Sequence, residues 1–198
     1  MNIITEKKSK ISSEAKETRN KLTKAALPLF LRHGYDGTGI NQILKTAQLS
    51  KGAFYHHFSS KAQIYEEVIP NFFLDPINDL NIEEIAKLPL KGIRKSLSDH
   101  YSFLPNRVTL GSDIDMMRYY AAFYEALSRL PDFKASINNH YSALIEIIAN
   151  KTNEEREIFP KVANTHARNV ISTLEGKLLL NLLSPKDSVK NEKNNGIK

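Results

Sequence analysis

An all-α fold, with a small three-helix head carrying a helix-turn-helix on a larger helical body, is what this sequence predicts, on three observations. Apolar residues recur at helical spacing in segment after segment, no strand-like alternation is sustained, and basic charge gathers in the first third of the chain. Of the formal net charge of +6, residues 1–61 contribute +7 (11 Lys and Arg against 4 Asp and Glu), and residues 62–198 contribute −1 (17 against 18). A basic excess confined to one end is the footprint expected for contacts to nucleic-acid phosphates; a solvated basic surface with no partner is the plainer alternative.

The chain of 198 residues contains no cysteine. Neither a disulfide framework nor thiolate chemistry is therefore available, and a reducing cytoplasm suits it. The longest apolar run, residues 25–31 counting Pro28, is far too short to span a membrane. Residues 1–24 lack the apolar stretch of a signal peptide, so no membrane association is expected.

In chain order, residues 1–16 are rich in Lys, Ser and Glu and predict a flexible basic arm. A first helix follows, from about residue 14 or 18 to His33, with Leu22, Ala26, Leu29, Phe30 and His33 on one face and Gly34 ending it. Pro28 within it predicts a kink. The glycines at 34, 37 and 39 are turn residues: their order is not G-x-G-x-x-G and no strand precedes them. Two short helices then complete a head over residues 17–61. In the first, about residues 40–47, Ile40, Ile43, Leu44 and Ala47 make one apolar face and leave Asn41, Gln42 and Lys45 outside. The second starts after Ser50 as N-cap and is anchored by Phe54 and Phe58, with Lys51, Gly52, Ala53, Tyr55, His56 and His57 turned away. A short helix with small residues and a basic tip suits the major groove of DNA, although a helix-turn-helix pattern alone is a weak signal.

A fourth helix opens with the capping box Ser60-x-x-Gln63, points its N-terminus and Lys61 toward the DNA side, and leads into the body. The body, residues 62–184, predicts further helices near 82–87, 90–104, 112–129, 132–150 and 154–183, with Pro160 marking a break or an early first turn. Residues 185–198, rich in Lys and Asn, predict a disordered tail.

The run from Gly34-Tyr35 through Thr38, Ile43 and Ala47 to Leu49-Ser50-Lys51-Gly52-Ala53-Phe54-Tyr55-His56-His57-Phe58-Ser59-Ser60-Lys61 resembles the DNA-binding motif of the tetracycline-repressor (TetR) family. The resemblance covers about residues 18–68. It implies a homodimeric repressor, bound to a near-palindromic double-stranded operator, whose C-terminal domain binds a small molecule that controls DNA affinity. It also implies that Thr38 reaches a phosphate and that the fourth helix transmits ligand binding to the head. Two positions depart from the pattern. Gln48 stands where the family often has Gly, costly if the backbone there is left-handed, and Leu44 replaces a usual Ala.

With that resemblance, the expected DNA-binding set is Thr38, Asn41, Lys51, Gly52, Ala53, Tyr55, His56, His57 and Lys61. Lys51 would meet a base edge or phosphate, Gly52 and Ala53 would allow close approach, Asn41 would reach a base, and the others would clamp the backbone. In the body, His100, Tyr101, Met116, Met117, Tyr120, Phe123, Tyr124 and His140 either form ordinary core or line a pocket for an apolar or aromatic ligand. Leu144, Ile148, Ala163, Ala167, Val170, Leu174 and Leu178 lie on helices with more than one apolar stripe and are the expected dimer interface, or else monomer core. No cofactor and no metal are expected, since His56 and His57 are adjacent rather than one turn apart. No catalytic motif is present, and an enzyme is not expected. The leading alternative keeps the DNA head but makes the protein a nucleoid-associated or partner-controlled adaptor without a small-molecule inducer.

Overall fold

Nine α-helices and no strand occur among the described residues of the computed structural model, which describes the backbone over residues 2–109 and 116–183 and side chains over 13–102 and 116–180. In order they are α1 (Asn2–Gly37), α2 (Ile40–Ala47), α3 (Lys51–His57), α4 (Lys61–Asn78), α5 (Ile82–Ala86), α6 (Leu90–Thr109), α7 (Met116–Arg129), α8 (Pro131–Arg156) and α9 (Pro160–Leu183). The expected tail, residues 185–198, lies wholly outside the described residues, as do residues 112–115 of the expected third body helix.

Boundaries differ from the sequence reading at four places, the first being α6, which runs on to Thr109 rather than ending near residue 104. Helix α1 runs back to Asn2 through the segment expected to be a flexible arm. Its break falls at Gly34 (φ 72°, ψ 177°), whereas Pro28 sits inside continuous helical backbone. The difference has a local cause: Gly34 adopts a conformation that side chains disfavour, and it is there that the ladder is interrupted. Finally, α8 continues to Arg156, so the last helix starts only at Pro160, a residue suited to a first turn because its missing N–H is not needed there.

The chain forms two units, residues 1–80 with 108–140 and residues 81–107 with 141–198. The first therefore joins the head and α4 to α7 and the start of α8. Its interior is built on Leu22, Ala26 and Phe30 from α1, Ile43 from α2, Phe54 and Phe58 around α3, and Ile64, Tyr65, Ile69 and Phe73 from α4. Aromatic rings meet edge-on along it: Phe30 on Tyr65 at 4.9 Å, Tyr35 on Tyr65 at 4.9 Å, Phe73 on Tyr119 at 4.9 Å and Phe73 on Phe123 at 5.3 Å. Such pairs add to the free energy of area burial because ring edges and faces carry opposite partial charge.

The second unit packs α5, α9 and the adjoining parts of α6 and α8. Its interior holds Ile85, Ile93, Leu97, Leu144, Ile148, Ala163, Ala167, Val170, Leu174 and Leu178. All seven residues expected at a dimer interface are thus buried within one chain, at most 8% exposed. They fill this unit's own core, so the apolar area they carry is already removed from water. Polar ties join its helices: the Leu90 N–H at the start of α6 donates to Glu155 Oε1 of α8 (2.7 Å), and the Tyr141 hydroxyl of α8 donates to Glu175 Oε1 of α9, while within α8 buried Thr152 donates to the Ile148 carbonyl (2.6 Å).

Candidate nucleic-acid interface

Local chemistry positions the reading helix. Gly39, the N-cap of α2, has no side chain to offer, but Gln42 Oε1 accepts its N–H at 2.8 Å. The helix ends at Gln48 in the left-handed region (φ 56°, ψ 43°), as feared for a position usually glycine, and Leu49 N–H closes back on Leu44 O at 3.1 Å. Ser50 then caps α3, its Oγ accepting from Ala53 N–H at 3.2 Å. Ser60 does the same for α4 from Gln63 N–H (3.2 Å), while Gln63 Oε1 reaches one residue further back, to Ser59 N–H (2.6 Å), than a standard capping box.

With Phe54 and Phe58 buried, Lys51, Gly52, Tyr55 and His56 are exposed and Ala53 and His57 half-buried. Lys51 Nζ lies 5.9 Å from the Tyr55 ring centroid. An open depression of about 340 Å³ brings Asn41, Lys51, Tyr55 and Lys61 together with Gly39, Ile40 and Gln42. Four of the nine residues expected to meet DNA thus share one concave surface. Burial, with His56 and Arg19 nearby, holds the His57 imidazole below the usual histidine range, so it is neutral at pH 7.

Two of the nine are occupied elsewhere. Thr38 is fully buried, its hydroxyl donating to the Gly34 carbonyl at 2.8 Å. Lys61 Nζ donates to the Tyr35 carbonyl at 2.7 Å and lies 4.1 Å from that ring's centroid. Both fasten the break at residues 34–36 near the end of α1, because a carbonyl left over where the helical ladder is interrupted attracts the nearest donor.

The fastening involves residues that the sequence did not single out. Glu125 Oε2 accepts the Tyr35 N–H at 2.9 Å. Arg129, 4.5 Å from the Tyr35 ring centroid, pairs with Asp36 and with Glu125. Helix α7 therefore grips the end of α1. On the other side of the head, Arg19 pairs with Glu67 of α4, donates to the last carbonyl of α3 at His57 (3.0 Å), and lies 4.3 Å from the Phe58 ring centroid. A basic residue at the C-terminal end of the reading helix suits its dipole. Apart from the Arg129–Glu125 pair, one helical turn apart, no spacing along the chain signals either group, since the hydrogen-bonded partners are 38 to 93 residues apart.

The expected ligand set divides between the units. Met116, Met117, Tyr120, Phe123, Tyr124 and His140 belong to the first and His100 and Tyr101 to the second. Met117 and Tyr124 are 60% and 63% exposed, whereas Met116, Tyr120 and Phe123 are half-buried. Among the described residues no group of three or more His, Cys, Asp or Glu could hold a metal ion, and no helix is long and apolar enough to cross a membrane.

A helix-turn-helix head with an exposed, capped second helix on a helical body defines the class. Residues 22–68 match the family model described as bacterial regulatory proteins, tetR family. That match covers the head and the first turns of α4, and none of the rest of the body. The chain is similar to the HTH-type transcriptional regulator AcrR of Shigella flexneri, with 35% identity over 80 residues, 40% of this chain and 37% of that protein. It is also similar to the negative regulator IcaR of the Staphylococcus aureus biofilm operon icaADBC, with 30% identity over 114 residues, 58% of this chain and 55% of that one. The matched stretches thus span between 37% and 55% of these curated relatives. The crystal structure of AibR in complex with isovaleryl coenzyme A and operator DNA shares the fold, with a TM-score of 0.58 at 16% identity over 86% of this chain and 89% of that one.

Proposed function

We propose that this protein is a sequence-specific DNA-binding transcriptional repressor that acts as a homodimer on a near-palindromic operator and is released by a small ligand. The observation that carries the reading is the outer face of α3. There Lys51, Gly52, Tyr55 and His56 stand exposed on a helix locked at both ends, with Asn41 beside them across one depression. Lys51 and Asn41 read base edges or phosphate, Gly52 and Ala53 permit close approach and contact with a thymine methyl, and Tyr55, His56 and His57 clamp the backbone. Thr38 and Lys61 act instead by holding the turn that orients the head. The operator DNA in the AibR complex and the negative regulation in IcaR's name favour this target and this sign.

Because the core of the second unit consumes the residues first expected at the interface, the dimer contact falls to the exposed apolar residues of α9. Leu179 is 52% exposed on a side of α9 away from residues 166, 169 and 173, and Phe159, just before that helix, is 82% exposed. An apolar ligand would lie against Met116, Tyr120 and Phe123. The same helix carries Glu125 and Arg129, so any shift of α7 pulls on the turn at residues 34–36, which supplies a path from ligand to head.

Selection of genomic fragments by the purified protein, followed by salt titration of the best fragment against scrambled DNA, tests the reading. A two-fold site bound at least about 10³-fold more tightly than scrambled DNA is expected. Equal and steeply salt-dependent binding to every fragment would refute it and leave a head that clamps phosphates only.

A further inference from the structure

The second unit contains a basic groove that the DNA reading does not use. Its volume is about 350 Å³, at the small end of the range for small-molecule sites. Arg94, Lys95 and Ser98 line it from α6. From α9 come His166, Asn169, Val170, Thr173, Leu174 and Lys177, whose spacing of three and four residues puts them on one face of that helix. No carboxylate lines it. Lys95 is drawn aside to Asp99 at 3.2 Å, but neither Arg94 nor Lys177 forms an ion pair among the described residues.

His166 adds an independent observation. Its Nε2 is buried and has no hydrogen-bond partner among the described residues, although a buried polar nitrogen left unpaired is destabilising. Burial, together with the nearby Arg156 and Arg94, holds its pKa below the usual histidine value. The imidazole is thus kept neutral among cations and short of a partner. An anion would satisfy Nε2 and offset the mutual repulsion of the cations around it.

We infer that this groove binds a small organic phosphate, its phosphoryl group held by Arg94, Lys177 and His166 and its apolar part lying along Val170 and Leu174. Arg offers a planar fork to phosphate oxygens and Lys a point charge, and together they match a dianion. Thr173 spends its hydroxyl proton on the Asn169 carbonyl (2.7 Å), so it does not donate to the ligand. A second copy of this chain is a poor occupant, because packing this face on itself about a two-fold axis would oppose like charges. The inference names the ligand class for the regulator proposed above and draws its regulatory meaning from that reading, but binding in the groove can be measured without DNA.

The test uses the full chain without DNA, with phenyl phosphate, inorganic phosphate and sodium chloride titrated at matched ionic strength. Imidazole C–H signals in the NMR spectrum report on His166, assigned by comparison with His166→Asn. Phenyl phosphate is expected to shift those signals saturably, with inorganic phosphate at least tenfold weaker for want of the apolar contact. Arg94→Gln with Lys177→Gln should weaken phenyl phosphate at least tenfold, and Lys134→Gln, on an exposed turn of α8, should not. Saturation should also raise the pKa of His166, a response that surface screening does not produce. The inference is overturned by a non-saturable response, by equal effects of chloride and phosphate, or by an unchanged affinity in the double variant of correct helical content. Operator binding that survives any of these results would leave the proposed function standing.

Discussion

On the outer face of α3, Lys51, Tyr55 and His56 project into solvent, whereas Lys61, Arg129 and Tyr35 expend the same kinds of group on partners within the molecule. At the turn over residues 34–36 every strong donor has an acceptor: Lys61 takes the Tyr35 carbonyl, Glu125 takes the Tyr35 N–H, and Arg129 pairs with Asp36. Two lysines ten residues apart in one motif therefore differ in role. The lesson is that charge counts the candidates for phosphate contact, while the hydrogen-bond partners decide which candidates remain available.

The strongest way to break this contrast is to remove the anchor of the exposed face. Phe54 is fully buried, and Phe54→Ala should cost about 3–5 kcal/mol, seen as a lower urea midpoint and as loss of DNA binding. If DNA binding persists at full strength, the orientation of α3 does not depend on its apolar side. The fastened turn is the next target. Gly34→Ala places a side chain at φ 72° and a methyl group 3.3 Å from Glu125 Oε2, so a loss of about 1–3 kcal/mol is expected in thermal unfolding. A variant as stable as the parent would show that the turn relaxes freely.

The lysine pair sharpens the comparison further. Lys61→Met should lower stability by about 1 kcal/mol through the lost bond to the Tyr35 carbonyl. Lys51→Ala should leave stability within about 0.5 kcal/mol, yet weaken DNA binding and, if it meets phosphate, reduce the salt slope by about 1. Reversal of these two profiles would reverse the assignment.

The smallest effect expected is on pH dependence. His57 and His166 are both held below the ordinary histidine value, so the unfolded chain binds more protons than the native one in mildly acid solution. Their contribution is complete above about pH 6.5 and is lost as pH falls through their native values. The urea midpoint should thus decline between pH 7 and pH 5, and less so in His166→Asn. A midpoint that rises on acidification would contradict the neutral state of both rings.

Much of the head was legible without coordinates, because its signals are local. Ser50 and Ser60 announce helix starts, Gly34 announces a stop, and Phe54 with Phe58 is one helical turn of anchor; each acts over four residues or fewer. The left-handed Gln48 was likewise foreseeable from its place in the turn. Pro28 shows the limit of such rules: it carries a local penalty, yet the interruption in α1 falls at Gly34, where the backbone takes the conformation that glycine alone accepts readily. In the body the helices were legible and their faces were not. Leu144, Ala167 and Leu174 read equally as interface or interior, since apolar periodicity reports that a face is buried but not by what.

The sequence by itself determined the helical class, the head and its caps, and the residues of α3 that face outward, since periodicity, capping and anchoring are properties of neighbours in the chain. Only the tertiary structure decided that Thr38 and Lys61 are bonded internally, that Glu125 and Arg129 hold the turn at residues 34–36, that Arg19 closes the end of α3, and that Arg94, His166 and Lys177 share a groove. Thr38 bonds within its own turn, four residues back; the hydrogen bonds of Lys61, Glu125, Arg129 and Arg19 to other helices join residues 26 to 93 positions apart, and a contact at such separation is set by how helices pack, for which no short stretch of sequence carries a sign.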